Sequence, residues 1–416
     1  MEYFKRKLLT KILSFIDYKE AIVIYGARQT GKTTIMKMVM RDLQNKGISV
    51  DRLLYFDLED VEILELFNQG IDAIIQYIEA RISQNKLKSE KIFLFIDEIQ
   101  YLQNASSVLK LFVDHHSDKY KLIVSGSSVL SIKSNMKQSI MGRAITFELF
   151  GLDFEEWLEF KNIKINLKKV TDKKTHKELK DLYQEFMLYG SYPRIALISE
   201  INQRKYYLKE LIQTYIKKDI REIGKVRNIL KFNNFLRVLA DQTGHLLNID
   251  ELASTIGMAR ETVYEYLALL EGTYIAKRLP PFFRNIRSEL TKMPKIYFED
   301  TGIFNYLKYQ DIITKVSGDL FENSIYNELK HFFGQEKIKY WRTQNRQEID
   351  FVVQHKNELL TFEVKKRFAG QKTSAQTYFS QKYPDSINYL ITLEKIKEIN
   401  QSIKLIYPWE IYKIFN

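Results

Sequence analysis

Residues 22–34 read Ile-Val-Ile-Tyr-Gly-Ala-Arg-Gln-Thr-Gly-Lys-Thr-Thr: an apolar β-branched run, a G-x-x-x-x-G-K-T loop and the start of a helical pattern. This order predicts a strand, a phosphate-binding loop and a helix, the arrangement that cradles a nucleoside triphosphate such as ATP. Gly26 and Gly31 allow backbone turns closed to other residues. The N–H groups of Ala27, Arg28, Gln29 and Thr30 can then converge on the phosphates, and the helix begins with its positive dipole end against them. Lys32 supplies a compact cation for the β- and γ-phosphates, Thr33 a hydroxyl for Mg²⁺, and Thr34 closes the motif. A chance glycine-rich turn would satisfy the spacing alone; the strand before it and the helix after it are what single out the functional reading.

Residues 92–98, Ile-Phe-Leu-Phe-Ile-Asp-Glu, have the near-continuous apolar character of a parallel strand covered on both faces. Ligands collect at the carboxyl ends of such strands. Asp97 is there to hold the metal and Glu98 to polarise the attacking water. One strand ending in two acids is common, but this one accompanies a phosphate loop. Residues 53–58 read as another strand, and 121–128 as a strand ending in hydroxyls. Ser125, and after it Ser127, are candidates to report on the γ-phosphate. Arg143 follows a polar stretch and reads either as an arginine finger, acting in cis or across a subunit interface, or as a surface arginine. Strands alternating with helices give an α/β, parallel, doubly wound sheet.

The chain has 416 residues and 45% hydrophobic content, enough for several cores. It has no cysteine, which excludes disulfides and cysteine-bound zinc or iron–sulfur centres and suits a reducing cytoplasm. No apolar run approaches the ~20 residues that span a bilayer, so no membrane partner is expected. Lys5, Arg6 and Lys7 precede an apolar stretch interrupted by Lys11, which reads as an amphipathic helix rather than a signal peptide. The net charge of +12 favours a polyanionic partner, with DNA foremost. Lys161, Lys164, Lys168, Lys169, Lys173, Lys174 and Lys177 crowd one stretch; a solvated face is its plainer reading. The six histidines lack ligand spacing.

Several motifs occur in a fixed order: Thr-Gly-Lys-Thr-Thr after Ala27-Arg28-Gln29, Ile96-Asp97-Glu98-Ile99-Gln100, Ser125-Gly126-Ser127-Ser128, Met141-Gly142-Arg143, Phe150-Gly151-Leu152, Phe154-Glu155-Glu156 and Leu188-Tyr189-Gly190-Ser191-Tyr192-Pro193. In these the chain resembles the bacterial and archaeal AAA-type ATPases that carry a carboxyl-terminal DUF4143 domain. Proline is usual where this chain has Gly151, and a second glycine is usual near Ser191; both departures touch linker geometry. The resemblance implies a P-loop ATPase domain over 1–155, through which the chain could oligomerise.

Residues 156–245 have a helical pattern and read as a lid or connector. Residues 246–295 have helix-turn-helix spacing, with Tyr274-Ile275-Ala276 as a wing strand. The second helix displays Glu261, Glu265 and Glu271, which repel phosphate. Two readings stay open: DNA contact through Lys277, Arg278, Arg284 and Arg287, or a structural or protein-docking winged helix. Residues 296–416 match the family again at Lys295 to Gly302 and Gly318 to Asn323. Glu322 on a helix, Asp350 on one strand and Glu363-Val364-Lys365 on the next resemble the restriction-endonuclease-like PD-(D/E)XK core. Period two puts Glu363 and Lys365 on one sheet face. The resemblance makes Asp350 and Glu363 ligands of a second divalent cation (Mg²⁺ or Mn²⁺), Lys365 a stabiliser of the nucleophile and Glu322 an auxiliary group. Two functional classes remain: an enzyme that uses ATP binding and hydrolysis to position or remodel DNA, with or without cutting it, or a nucleotide-dependent regulatory or protein-interaction module, with a protein partner, whose nuclease-like domain is inactive and only binds.

Overall fold

The computed structural model describes residues 4–82, 90–127, 142–214, 226, 228–282, 293–368, 374–395 and 403–415. The chain divides into two compact units, 1–151 and 152–416.

The first unit is a wholly parallel sheet. Its strands are β1 (Ala21–Tyr25), β2 (Leu53–Asp57), β3 (Ile92–Asp97), β4 (Tyr120–Gly126) and β5 (Ala144–Glu148), ordered β2-β3-β4-β1-β5. Successive side chains serve opposite faces, so each strand must be apolar at nearly every position. Val23, Leu94, Ile96, Leu122 and Val124 pack beneath the helices Val61–Asn68, Ile71–Glu79 and Ala105–His116. Ile22, Ile24, Phe93, Phe95 and Ile123 pack beneath the helices Lys7–Leu13 and Lys32–Asn45. The N-terminal helix is thus part of this core, with Ile12 fully buried.

The second unit combines a helical body with a mixed sheet. Helices Phe154–Phe160, Lys173–Tyr189, Ile201–Thr214 and Ile229–Asp241 come first. Then follow Ile249–Ile256 and Arg260–Gly272, joined across Gly257 in the left-handed region, and an antiparallel pair, β6 (Ala276–Leu279) with β7 (Lys295–Phe298). The strand expected at 274–276 therefore begins at Ala276. A boundary at 295/296 would cut β7, and the helix Thr301–Tyr309 just beyond it packs on the helix Lys173–Tyr189. The remaining strands, β8 (Ile338–Arg342), β9 (Glu348–His355), β10 (Glu358–Phe368), β11 (Ser386–Lys395) and β12 (Ile403–Ile406), form a sheet ordered β12-β11-β10-β9-β8. Its β8-β9-β10 pairings are antiparallel and its β10-β11-β12 pairings parallel.

Against this sheet lies the helix Gly318–Phe333, buried along most of its length. Its polar side chains are matched individually, as burial requires. Asn323 bonds both backbone polar groups of Phe298, and Lys330 reaches the carbonyl and carboxylate of Glu299.

The Leu188–Pro193 and Glu299–Gly302 motifs meet in space. Asp300 accepts from the backbone and hydroxyl of Ser191 at 2.6 and 2.8 Å and caps its own helix at Ile303 N, 2.9 Å. A Cβ on Gly302 would lie 2.3 Å from the Tyr189 carbonyl oxygen, a backbone atom that cannot step aside. Gly302→Ala should therefore lower unfolding stability by about 2 kcal/mol or more. Urea denaturation measures this, and a loss below about 0.5 kcal/mol would contradict the close approach.

Candidate functional site

The phosphate loop follows β1 and runs into the helix Lys32–Asn45. Gly31, at φ 99°, supplies the left-handed turn at the helix start. Gly26 is required sterically, since a Cβ there would fall 2.1 Å from the Leu149 carbonyl oxygen beside β5. Thr30 stitches the loop with a 2.9 Å bond to the Ala27 carbonyl, while Arg28 is half-buried and Gln29 and Thr34 are exposed. The Lys32 ammonium lies inside the loop, 3.1 and 2.9 Å from the carbonyls of Gly26 and Ala27, and the residue is only 5% exposed.

Asp97, at the end of β3, is the hub of this site. One carboxylate oxygen accepts from Thr33 at 2.6 Å and from the Tyr55 hydroxyl at 2.7 Å. The other accepts from the Ser125 hydroxyl and from Glu98 N. Burial, then the Asp97 carboxylate, pushes the Tyr55 hydroxyl well above its ordinary pKa, so it remains a donor. Glu98 takes a left-handed backbone conformation at φ 55°, uncommon for such a residue and typical of functional sites. Its carboxylate accepts from the Gln100 amide, which also reaches the Ser127 hydroxyl at 3.0 Å, while Gln100 accepts from Ser127 N at 3.1 Å.

Two expectations change here. Ser125 is fully buried and its hydroxyl donates to Asp97, so in this structure it braces the strand-end acid. Arg143 precedes β5, its carbonyl bonding Ala21 N at the start of β1, whereas the loop leaves from the other end of that strand. Five residues of strand put roughly 16 Å between them. Its guanidinium pairs with Asp114 at 2.5 Å, so it cannot act as a finger on its own loop.

The second unit gathers the other predicted acids. The β9/β10 register aligns Phe351 with Phe362, so Asp350 and Glu363 come next on facing strands. Asp350 accepts from Val364 N at 2.8 Å, and Glu363 pairs with Lys365 at 2.7 Å, as two residues on one face can. Glu322 joins them from the helix Gly318–Phe333. Sequence reading missed the cation among them: Lys295, with its side chain 1% exposed, lies 2.6 Å from Glu348, 3.4 Å from Glu322 and 3.9 Å from Asp350. Tyr297 donates to Glu322 at 2.5 Å. Burial, then the Asp350 charge, raises both Glu322 and Glu363 above the usual carboxylate range. Burial opposes the charge on Lys295, but Glu322, Asp350 and Glu348 outweigh it and raise its pKa. One Glu363 carboxylate oxygen is buried without a hydrogen-bond partner.

Residues 18–158 match the family profile described as "AAA domain", 180–314 the domain of unknown function DUF8612 and 317–412 the domain of unknown function DUF4143. Residues 18–158 are an AAA-type P-loop ATPase domain. An uncharacterized protein of Methanocaldococcus jannaschii is 27% identical over 346 residues, covering 81% of this chain and 73% of that one. Another, from Haemophilus influenzae, is 23% identical over 305 residues, covering 72% of each. The structure of the Aeropyrum pernix ORC1 protein in complex with DNA covers 72% of this chain and 90% of that chain, at 13% identity and a TM-score of 0.34. A likeness of that degree carries no functional inference.

The ATPase domain has one further support that sequence reading missed. Arg6, 6% exposed, donates to the Thr30 carbonyl at 2.8 Å and to those of Phe150 and Gly151 at 2.9 and 3.2 Å, fixing the loop from behind. Nothing in the Lys5–Lys7 run distinguishes this arginine from a surface cation.

Among the described residues, no three His, Cys, Asp or Glu side chains are grouped to hold a metal ion. The carboxylate cluster as placed therefore does not fit a second divalent cation, and Lys295 stands where one would be expected. Removing that charge alone should leave buried carboxylates uncompensated. Lys295→Met is expected to lose about 3–5 kcal/mol of stability. Lys295→Met combined with Glu348→Gln should recover part of it in the same urea titration, whereas equal losses in both variants would contradict the charge balance described.

Proposed function

We propose that this chain binds and hydrolyses ATP with Mg²⁺, and binds DNA through the sugar-phosphate backbone. The hydrolysis reading is carried by the 2.6 Å bond between Thr33 and Asp97, which brings the loop hydroxyl and the strand-end acid to one point. Those two oxygens, with water, suit a hard cation that prefers oxygen ligands. Bound there, Mg²⁺ would offset the charge of the β- and γ-phosphates. Lys32 turns from the loop carbonyls to the phosphates, and the loop N–H groups and helix end hold their oxygens. Glu98 orients and deprotonates the attacking water once its carboxylate leaves Gln100. Ser125 and Tyr55 keep the Asp97 carboxylate aimed.

Lys32→Ala is expected to weaken nucleotide binding at least tenfold. Glu98→Gln should retain binding while turnover falls about 10²- to 10⁴-fold. Calorimetric binding beside phosphate release separates the two effects. Undiminished turnover in Glu98→Gln removes Glu98 from the reaction.

For DNA the support is a cluster of cations. Lys164, Lys168, Lys169, Lys173, Lys174 and Lys177 are all exposed, around a short turn and the start of the helix Lys173–Tyr189. Their expected rivals are already engaged: Lys277 pairs with Glu336 at 3.1 Å and Arg278 with Glu271 at 2.7 Å. Arg284 and Arg287 lie outside the described residues. Glu261 and Glu265 are exposed on the second helix of the pair before β6. The arrangement of residues 229–282 and 293–298 supports a winged-helix reading, and its charges favour a structural or protein-docking role for it.

The β8-to-β12 sheet, the helix carrying Glu322 and the Asp350/Glu363/Lys365 group support a restriction-endonuclease-like centre. With Lys295 among its acids, this part of the chain reads as a binding module. DNA affinity should fall steeply with salt. Replacing Lys168, Lys169, Lys173 and Lys174 by Ala together should reduce the log–log salt slope by about 1 for each phosphate no longer neutralised. An unchanged slope would remove the lysine cluster from the interface; absence of binding even at about 50 mM salt would end the DNA reading.

A further inference from the structure

Two clefts open on either side of the turn from β8 to β9. The smaller, of about 390 Å³, is lined by Glu348, Glu363 and Lys365 of the carboxylate cluster. The larger, of about 750 Å³, is lined by Trp341, Arg342, Gln344, Tyr378 and Lys382. Asn345, on the turn, lines both. That turn is internally braced: Thr343 N donates to the Gln347 carbonyl at 2.9 Å, Arg346 N to the Thr343 carbonyl at 3.1 Å and Gln347 N to the Thr343 hydroxyl at 3.1 Å. The two clefts therefore meet at a hydrogen-bonded turn, with Asn345 common to both.

The larger cleft has the chemistry of a nucleotide site. Tyr378 is 46% exposed on the helix Ser374–Lys382, its ring 6.0 Å from that of Trp341 and inclined by 31°. Trp341 is itself 3% exposed and locked edge-on against Phe379 at 5.1 Å, so Tyr378 offers a backed aromatic face to the cleft. Gln344 and Asn345 bring amides that both donate and accept, suited to a base edge. Lys382 is exposed, and Arg342 pairs with Glu348 at 2.8 Å, linking this cleft to the carboxylate side. A volume of about 750 Å³ lies within the ~300–1,000 Å³ range of small-ligand sites. An exposed aromatic ring among cations is how single strands are gripped, because every base has a face to stack.

We propose that this cleft holds one unpaired nucleotide, with its base on Tyr378, its edge against Gln344 and Asn345, and its phosphate at Lys382. This rests on the DNA-binding reading and refines it, by naming unpaired strand as the ligand. A base inside a duplex cannot reach Tyr378 without leaving its stack, so blunt duplex engages the lysine cluster alone.

The test uses the full chain and labelled DNA of about 20 nucleotides as single strand, blunt duplex and duplex with a 3′ overhang. Fluorescence anisotropy at low salt gives affinities for wild type, Tyr378→Ala and Tyr378→Phe, each checked by thermal melting. Wild type should prefer the single strand and overhang. Tyr378→Ala should lose about 5- to 100-fold on those two forms, with blunt duplex unchanged, and Tyr378→Phe should keep most of the affinity. A 2-aminopurine in the overhang should be quenched by wild type and not by Tyr378→Ala. A single-stranded RNA arm separates the two sources of the nucleotide; tighter RNA binding with the same Tyr378 dependence keeps the site and names RNA as its ligand. Unchanged affinity of Tyr378→Ala for unpaired strands, as a peptide-binding cleft would give, overturns the proposal while leaving salt-sensitive duplex binding intact. If wild type binds no form at all, the DNA reading fails first and this site with it.

Discussion

Charge that is buried must be neutralised where it lies, and both sites in this chain are organised by that constraint. Asp97 is 2% exposed, and its carboxylate is accommodated because four donors reach its two oxygens. Those donors come from the start of the helix after the phosphate loop, from β2, from β4 and from the residue after Asp97 itself. The carboxylate thereby aligns three neighbouring strand ends with the loop. Any slip of β2 or β4 along the sheet would strand a buried charge, at a cost of several kcal/mol. The precision of the nucleotide site is in this sense a consequence of one acid's solvation.

The second unit solves the same problem with an internal cation. Glu322, Glu348 and Asp350 would repel one another if left together, and Lys295 supplies the opposing charge from β7. This ties the β6/β7 pair electrostatically to the helix Gly318–Phe333 and to β9. The residues after Lys295 add contacts of their own: Tyr297 hydrogen-bonds the same Glu322, Phe298 N donates to Asn323, and Asp300 caps a helix and grips Ser191. A run read as one family motif is four separate long-range contacts.

What could be read beforehand follows the range of the interaction. The phosphate loop was legible because its chemistry is local and needs only spacing and flanking strand and helix. Glu363 and Lys365 were legible as a same-face pair because strand periodicity is two. Their partner Lys295 lies far back in the chain, and nothing local marks it as buried rather than solvated. Tyr55 and Arg6 escaped for the same reason. Ser125 was placed on the correct strand end, but sequence does not tell whether a hydroxyl turns toward ligand or toward the acid behind it. Arg143 could not be narrowed from sequence, because nothing there showed that β5 begins beside the start of β1, away from the loop.

The contrast between the two acid sites separates their chemistry. Around Asp97 every neutralising group is an uncharged donor, so a cation can be added with only hydrogen bonds to rearrange. Around Asp350 the neutralising group is a full charge, so a divalent cation would have to expel it. Lys295 has little room to go, because its backbone is paired with Leu279 and bridges to Leu246, and Leu247 N bonds the preceding Pro294 carbonyl. Only a change of side-chain rotamer could withdraw it, into surroundings that leave it 1% exposed. A divalent cation and the Lys295 ammonium are thus competitors for one position, and as the site is built the lysine holds the advantage of being covalently present.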